Sequence, residues 1–441
     1  MPDYDVIVVG GGIAGVCSAV AAKRMGVSVL LLEKDMALGG VLTNALVNPM
    51  MTFHSPLRQI AGAIAQEIVD RLVKIKGSYG HIKDPIGFVK TITPFEPEKL
   101  KTVLINMLHQ ENVDYLFGCL VSDVKTKNGT VTQIEVATMQ KKINLNGKIY
   151  IDSTGDGNFC IKAGAPYVEG NNDRKRCQPM TLIMKLSRVN KKEIISYIQT
   201  NPEQFTLANS PDFSYLAVSG FFDHMKKLEK YNVRFKRDRL LFFEVPFRED
   251  EVFMNTTRYP GYAADPMELT RAQSCASLDI WNFLEFLNNE IPGFESAKLE
   301  QVGCTIGIRE TSHIIGDYQL TIKDLLETRD FQDKIAIGAY PVDLHSPNSS
   351  GLKTIKIPYP GEYQIPLRSL FPQGLNNVLL SGRNISADHL AFSAIRTSPL
   401  AASIGLAAGI CAAIAVRENC NIRDVRYQEL QGEIKRMGGI L

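Results

Sequence analysis

The stretch Asp5-Val-Ile-Val-Val-Gly10-Gly-Gly12-Ile-Ala-Gly15, continuing to Leu30-Leu-Leu-Glu33, decides the fold of this chain. Val6 to Val9 form an apolar run short enough for a buried strand, and it runs straight into Gly10-x-Gly12-x-x-Gly15. An Ala-rich helical pattern follows from Ile13 to Met25. Gly26 stops it at the position where a left-handed residue is usual, and Val27 to Leu32 form a second strand ending on Glu33. Each glycine has a physical task. Gly10 permits the tight turn, Gly12 lets backbone approach a diphosphate, and Gly15 lets the helix pack closely on the sheet. Ile13 and Ala14 open a helix whose free N–H groups and dipole favour phosphate. Glu33 stands where a carboxylate accepts hydrogen bonds from a ribose diol, with Lys34 beside it. Strand, turn, helix, strand and acid in this order predict a dinucleotide-binding fold.

The rest of the chain excludes several classes. It is 45% apolar and 22% charged with a net charge of +2, an ordinary globular balance with no strong pull toward nucleic acid or membrane. Its eight cysteines are scattered without a C-x-x-C pair, so they read as reduced, mostly buried thiols of a cytoplasmic protein, and no metal site is expected. Acids at Asp3 and Asp5 and the interrupting glycines argue against a signal peptide. Leu400 to Val416 is uncharged but rich in Ala and Gly, which predicts a helix buried in the protein rather than a membrane span.

Helices are expected over 57–74 and 97–110. Strands follow from 114 to 152, punctuated by Asn128-Gly129 and Asn146-Gly147, and read together as a β-meander. From 166 to 375 the βαβ rhythm is lost. Strands at 180–186, 240–245 and 356–358 mix with helices at 266–288 and 322–327. Near Asn377 the earlier pattern returns, with a strand at 378–381, Gly382-Arg383-Asn384, and a long Ala/Gly helix for which Ser398 can be the N-cap and Pro399 the first residue. The expected fold class is α/β: a Rossmann-like domain with a central parallel sheet, helices and a β-meander crossover, built from 1–165 and 376–441, with an inserted mixed α+β substrate domain at 166–375.

The glycine motif, Glu33, Gly39-Gly40, Asp152-Ser-Thr-Gly155-Asp156-Gly157 and Gly382-Arg-Asn384 together resemble the glutathione-reductase-like FAD flavoproteins. Gly307-Ile-Arg309-Glu310, Tyr340-Pro-Val-Asp343-Leu-His345 and Ser381-Gly-Arg-Asn-Ile-Ser-Ala-Asp-His389 are similar to the bacterial FAD-dependent oxidoreductase family, distant relatives of the fumarate reductase flavoproteins. The resemblance implies FAD as cofactor. It implies diphosphate contacts at Gly10, Gly12 and Gly15, ribose at Glu33, the adenine edge at Val121, closure by Gly155 and Asp156, a path to the ring at Gly39, Gly40 and Thr43, and Gly382, Asn384 and Ile385 at the ribityl and pyrimidine end. A helix starting at Ser398 would direct positive dipole toward the charge that reduced flavin develops. NAD alone is the competing cofactor. NADP is disfavoured because only Lys34 could meet a 2′-phosphate. No second strand-linked GxGxxG is present, so a small-molecule substrate or a separate electron acceptor must exchange electrons with the flavin directly.

Four side chains are candidates for the chemistry. His345, in a loop bounded by prolines, is expected to be exposed, to titrate near neutral pH and to be oriented by Asp343. His54 follows the segment facing the flavin. Arg309 either pairs with Glu310 or holds a substrate carboxylate with its planar fork. Arg396, between Ile395 and Thr397, is expected near flavin or substrate. His389, beside Asp388, reads equally as a helix cap. A different class stays open through 225–239, a basic segment with Tyr231 and Phe235 interleaved, which would suit stacking on RNA bases. A non-catalytic dinucleotide-binding module is the remaining alternative.

Overall fold

The computed structural model describes residues 4–170, 177–346 and 350–441. Its centre is a five-stranded parallel sheet in which Val378–Leu380, Gly147–Asp152, Tyr4–Val9, Val29–Leu32 and Asp114–Leu116 lie side by side in that order. Val6, Ile7 and Val8 are fully buried, as a parallel strand covered on both faces requires. The helix Ile13–Arg24 leaves the first strand, and the helix Ser398–Glu418 packs along it. A Cβ on Gly405 would overlap the carbonyl of Ala14, and one on Gly409 would overlap that of Ser18, so these glycines set the separation of the two helices. Ser18 Oγ also reaches Gly405 O at 3.0 Å and Ser381 Oγ at 3.0 Å. The helix Ser398–Glu418 is long and apolar enough to cross a membrane, but 89% of its most apolar window is buried inside the protein.

The meander is narrower than the sequence predicts. Leu120–Lys127, Thr130–Ala137 and Lys142–Leu145 form a separate antiparallel sheet, whereas 114–116 and 147–152 belong to the parallel one. Burial explains the split. Val131, Ile134 and Val136 alternate with exposed Thr132 and half-buried Gln133 and Glu135, while Ile149 to Asp152 are buried without a break. The helix expected from 57 begins at Ala63, because Ser55 Oγ accepts from the N–H groups of Leu57 and Arg58 and holds those residues in a turn. Residues 356–358 form no strand; Pro358 and Pro360 deny the segment ladder donors, and the pairing shifts to Val342–His345 with Leu352–Ile355.

Two large apolar clusters coexist. One joins the parallel sheet, its helices and the meander, and it also includes Ile314 to Leu375. The other comprises residues 180–306, around the antiparallel sheet Ala217–Gly220, Leu240–Val245, Arg248–Met254, Met184–Ser187 and Lys298–Val302 and the helix Pro266–Glu290. The buried apolar residues described between 314 and 375 therefore belong to the core of the parallel sheet rather than to the second core.

Candidate functional site

A single cavity of about 1780 Å³ runs from the glycine turn to the second core. A pocket for one small ligand occupies roughly 300–1,000 Å³, so this one has room for an extended cofactor and a second molecule. At one end stand Glu33, Lys34 and Val121. Glu33 is buried; its Oε2 accepts from Gly11 N at 2.6 Å and its Oε1 from Asp35 N at 2.9 Å, which leaves lone pairs toward the cavity. Burial raises the carboxyl above its usual range against the pull of those two N–H groups. Lys34 instead pairs with Asp35 at 2.9 Å on the rim.

Gly10, Gly12, Ile13 and Ala14 line the middle, opposite Ser153, Gly155 and Asp156. A Cβ on Gly12 would meet no atom and would project into open space, while Gly15 lies against the carbonyl of Gly10, outside the lining. The helix start at Ile13 has glycine at its N-cap and no side-chain cap, and Ser153 Oγ is buried without a hydrogen-bond partner among the described residues. An uncapped helix start, an orphaned hydroxyl and a glycine opening into the cavity are what a diphosphate requires, so these residues fit FAD. Asp152 shapes the facing turn by accepting from Thr154 N, Thr154 Oγ1 and Cys160 N. Asp156 is held by Arg383 Nη2 at 2.7 Å and Thr311 Oγ1 at 2.6 Å. Arg383 lines the cavity too and was not among the expected residues, although it sits inside the Gly-Arg-Asn element.

Gly39, Gly40 and Gly382 line the next section, with Ser398 at the start of the closing helix. Three expected contacts stand behind the wall. Thr43 Oγ1 donates to Leu38 O at 2.7 Å and braces the Gly39 turn, Asn384 Nδ2 donates to Asp152 O at 3.0 Å, and Ile385 is buried. The helix N-cap is Thr397 rather than Ser398, and it makes no side-chain cap bond, so the first N–H groups are left to the cavity.

The far end gathers His54, Arg309, Arg396 and His345 with Tyr340, Asp343 and Arg237. His345 is not exposed. It ends a strand, is 7% accessible, and burial pushes its imidazole well below its usual range. Asp343 Oδ2 accepts from His345 Nε2 at 3.1 Å and Tyr340 Oη at 3.1 Å, with Arg396 Nη2 at 3.6 Å. His54 Nδ1 lies 3.0 Å from Thr91 Oγ1. Arg309 does not pair with Glu310; its Nη1 donates to Pro179 O at 2.6 Å and to Thr181 Oγ1. Glu310 turns the other way, where Oε1 meets His389 Nδ1 at 2.6 Å and His313 Nε2 at 2.8 Å, and Oε2 accepts from Gln178 N. His389 opens a short helix capped by Asp388. Sequence spacing hides this buried Glu–His–His cluster, because His389 lies far from the other two along the chain.

The basic segment folds inward in part. Phe235 packs on Tyr259 and Phe283, and Tyr231 packs on Phe286 and bonds Glu290, so neither ring is offered to a base.

Residues 5–434 match the FAD dependent oxidoreductase family. Over 118 residues the chain is 32% identical to a glutathione reductase of Yarrowia lipolytica, covering 27% of this chain and 24% of that protein. Over 76 residues it is 30% identical to a soluble pyridine nucleotide transhydrogenase of Mycobacterium tuberculosis, covering 17% and 16%. The chain thus matches less than a quarter of the length of either relative. In fold it is similar to a geranylgeranyl bacteriochlorophyll reductase-like protein of Thermoplasma acidophilum, with a TM-score of 0.50, 14% identity, and coverage of 99% of this chain and 84% of that one. The halogenase PltM gives 0.51 at 9% identity, covering 99% and 73%. With the glycine turn, the uncapped helix start and the buried acid in one cavity, and with the family match running almost end to end, the chain belongs to the FAD dependent oxidoreductase family.

Proposed function

We propose that the protein binds FAD along this cavity and moves a hydride between it and a small molecule at the arginine-lined end. The observation that carries the reading is the continuity of the space from Glu33 to Arg309. Glu33 holds the adenosine ribose, and Val121 borders the adenine. Gly10 and Gly12 with the start of helix 13–24 hold the diphosphate, with Gly155 and Asp156 closing over it. The N-terminus of helix 398–418 faces the ring. FAD supplies the hydride or electron chemistry, and the protein supplies position and proton control.

Arg309 and Arg396 orient the substrate, and Asp343, through Tyr340 and His345, fixes the polar wall beside it. His54, on the cavity lining, is the candidate for proton transfer. Residues 1–165 and 376–441 form the cofactor domain, with buried residues between 314 and 375 added to its core, and the segment between them brings the substrate surface. A separate electron acceptor completes the cycle. We place the chain within the glutathione-reductase-like superfamily, distantly related to fumarate reductase flavoproteins; the partial match to a glutathione reductase supports the first of these.

Purified protein tests the reading. It should be yellow, should release FAD on denaturation, and should bleach anaerobically with its substrate. Colourless protein that takes up no FAD would overturn it.

A further inference from the structure

The substrate end carries more positive charge than its own side chains cancel. Phe235 and Arg237 lie on an extended segment whose alternate residues Arg234 and Lys236 are exposed, so the alternation that buries the ring also turns Arg237 into the cavity. Arg237 is 8% accessible, its Nε has no hydrogen-bond partner, and among the described residues no carboxylate pairs with it. Arg396 Nη2 donates to Asp343 O, and its Nη1 is buried without a partner. Arg309 uses one nitrogen on Pro179 O and Thr181 Oγ1. Arg258 is committed to His345 and to the carbonyls of Ser350 and Gly351.

Among the described residues, the acids nearby are already taken. Asp238 pairs with Arg239 at 2.9 Å, Asp84 accepts from the N–H groups of Ile86, Phe88 and Val89, and Asp343 is shared as described. Burial, reinforced by Arg258, pushes the Arg237 guanidinium down to about 9. Burial and the neighbouring Arg396, Arg258 and Arg237 push Arg309 the same way. An arginine does not give up its proton at neutral pH, so this end of the cavity stays positive and favours an anionic ligand.

We infer that the substrate carries at least two negative charges, as two carboxylates or one phosphate, and that Arg237 is the residue that reads the second charge while Arg309 and Arg396 hold the first. This rests on the proposed function and adds the class of substrate. A monoanion would leave Arg237 buried and unmatched. A dianion would reach two guanidinium atoms that have no partner among the described residues, Arg237 Nε and Arg396 Nη1.

The test uses the FAD-loaded protein. Changes in flavin absorbance and in melting temperature are followed during titration with malonate, succinate, glutarate, inorganic phosphate and acetate at constant ionic strength. At least one dianion should bind ten-fold or more tightly than acetate, and the preferred member distinguishes a pair of carboxylates from a phosphate. Arg237→Met should keep its FAD and melt no lower than the parent protein when ligand-free, because it removes an unmatched charge, yet lose ten-fold or more in dianion affinity. Arg237→Lys should fall between the two. Yellow protein that binds acetate as well as any dianion, or an Arg237→Lys protein and an Arg237→Met protein that both bind dianions like the parent, would overturn the inference alone. Protein without flavin would overturn the reading beneath it.

Discussion

Arg258 Nη2 lies 2.9 Å from Nδ1 of His345, and because a guanidinium has no acceptor, that contact makes Nδ1 the acceptor and leaves the ring proton on Nε2, facing Asp343. His345 is thereby held as one neutral tautomer between a cation and an anion. Burial acts in the same direction and outweighs the pull of Asp343. The imidazole orients the polar wall and does not titrate near neutrality.

Nitrogen NMR of histidine-labelled protein should show His345 as the Nε2–H tautomer with no titration between about pH 5.5 and 8. A midpoint inside that window would remove it from its positioning role and restore it as an acid–base group.

Arg309→Lys keeps the charge but cannot serve Pro179 O, Thr181 Oγ1 and a substrate with one planar fork. Losing one charge-assisted hydrogen bond of about 1.5–3 kcal/mol should raise KM roughly 10- to 100-fold. FAD content should be unchanged, since the Arg309 side chain bonds Pro179 O and Thr181 Oγ1, and only its backbone carbonyl, which the substitution keeps, meets Arg383. Steady-state kinetics beside the flavin spectrum checks both statements, and an unchanged KM would take Arg309 out of the site.

Gly12→Ala and Gly15→Ala should separate binding from folding. A methyl at Gly12 enters open space, so the variant should melt within about 1 °C of the parent ligand-free protein while losing FAD affinity. A methyl at Gly15 strikes the carbonyl of Gly10 and should cost about 1–3 kcal/mol of stability or more, lowering the melting temperature even without cofactor. Equal melting temperatures for the two variants would contradict the geometry.

The Glu310 carboxyl is brought down to about 2, with the hydrogen bonds of His313 and His389 overcoming the opposing effect of burial. A depressed carboxyl stabilises the fold above its ordinary value of 4.5, and this contribution is lost as the pH falls from there through about 2. The stake is on the order of 3 kcal/mol. Denaturant titrations of the parent and Glu310→Gln between pH 2 and 7 should show a shallower acid loss in the variant; parallel curves would show that the cluster does not store this energy.

The cofactor half was legible because its signals are local. A tight turn, a helix stop at Gly26 and a terminal acid lie within one short stretch, and each residue type has one physical reason to be there. The strand at 378–380 was legible for the same reason, but its place beside 147–152 was not, since register between distant segments leaves no mark on either. Thr43 and Asn384 were expected at the cavity surface and brace it from behind instead. Sequence marks such residues as belonging to the region, but not which side of the backbone they serve. The prolines flanking His345 signal an exposed loop, while its burial depends on Arg258 and the core of residues 180–306 coming to meet it. Arg237 is hidden in a basic run in which Lys226, Lys227, Lys230, Arg234 and Lys236 behave as an ordinary solvated face.

The contact of Gly405 and Gly409 with Ala14 and Ser18 joins two segments far apart in sequence beside the cofactor groove. A nascent polypeptide still on the ribosome has the glycine turn from the outset but lacks its far wall until residues 398–418 have emerged. A chain cut before this helix would keep Glu33 and the glycine turn but leave them without the partner that closes the groove, so any flavin it took up would be held on one side alone.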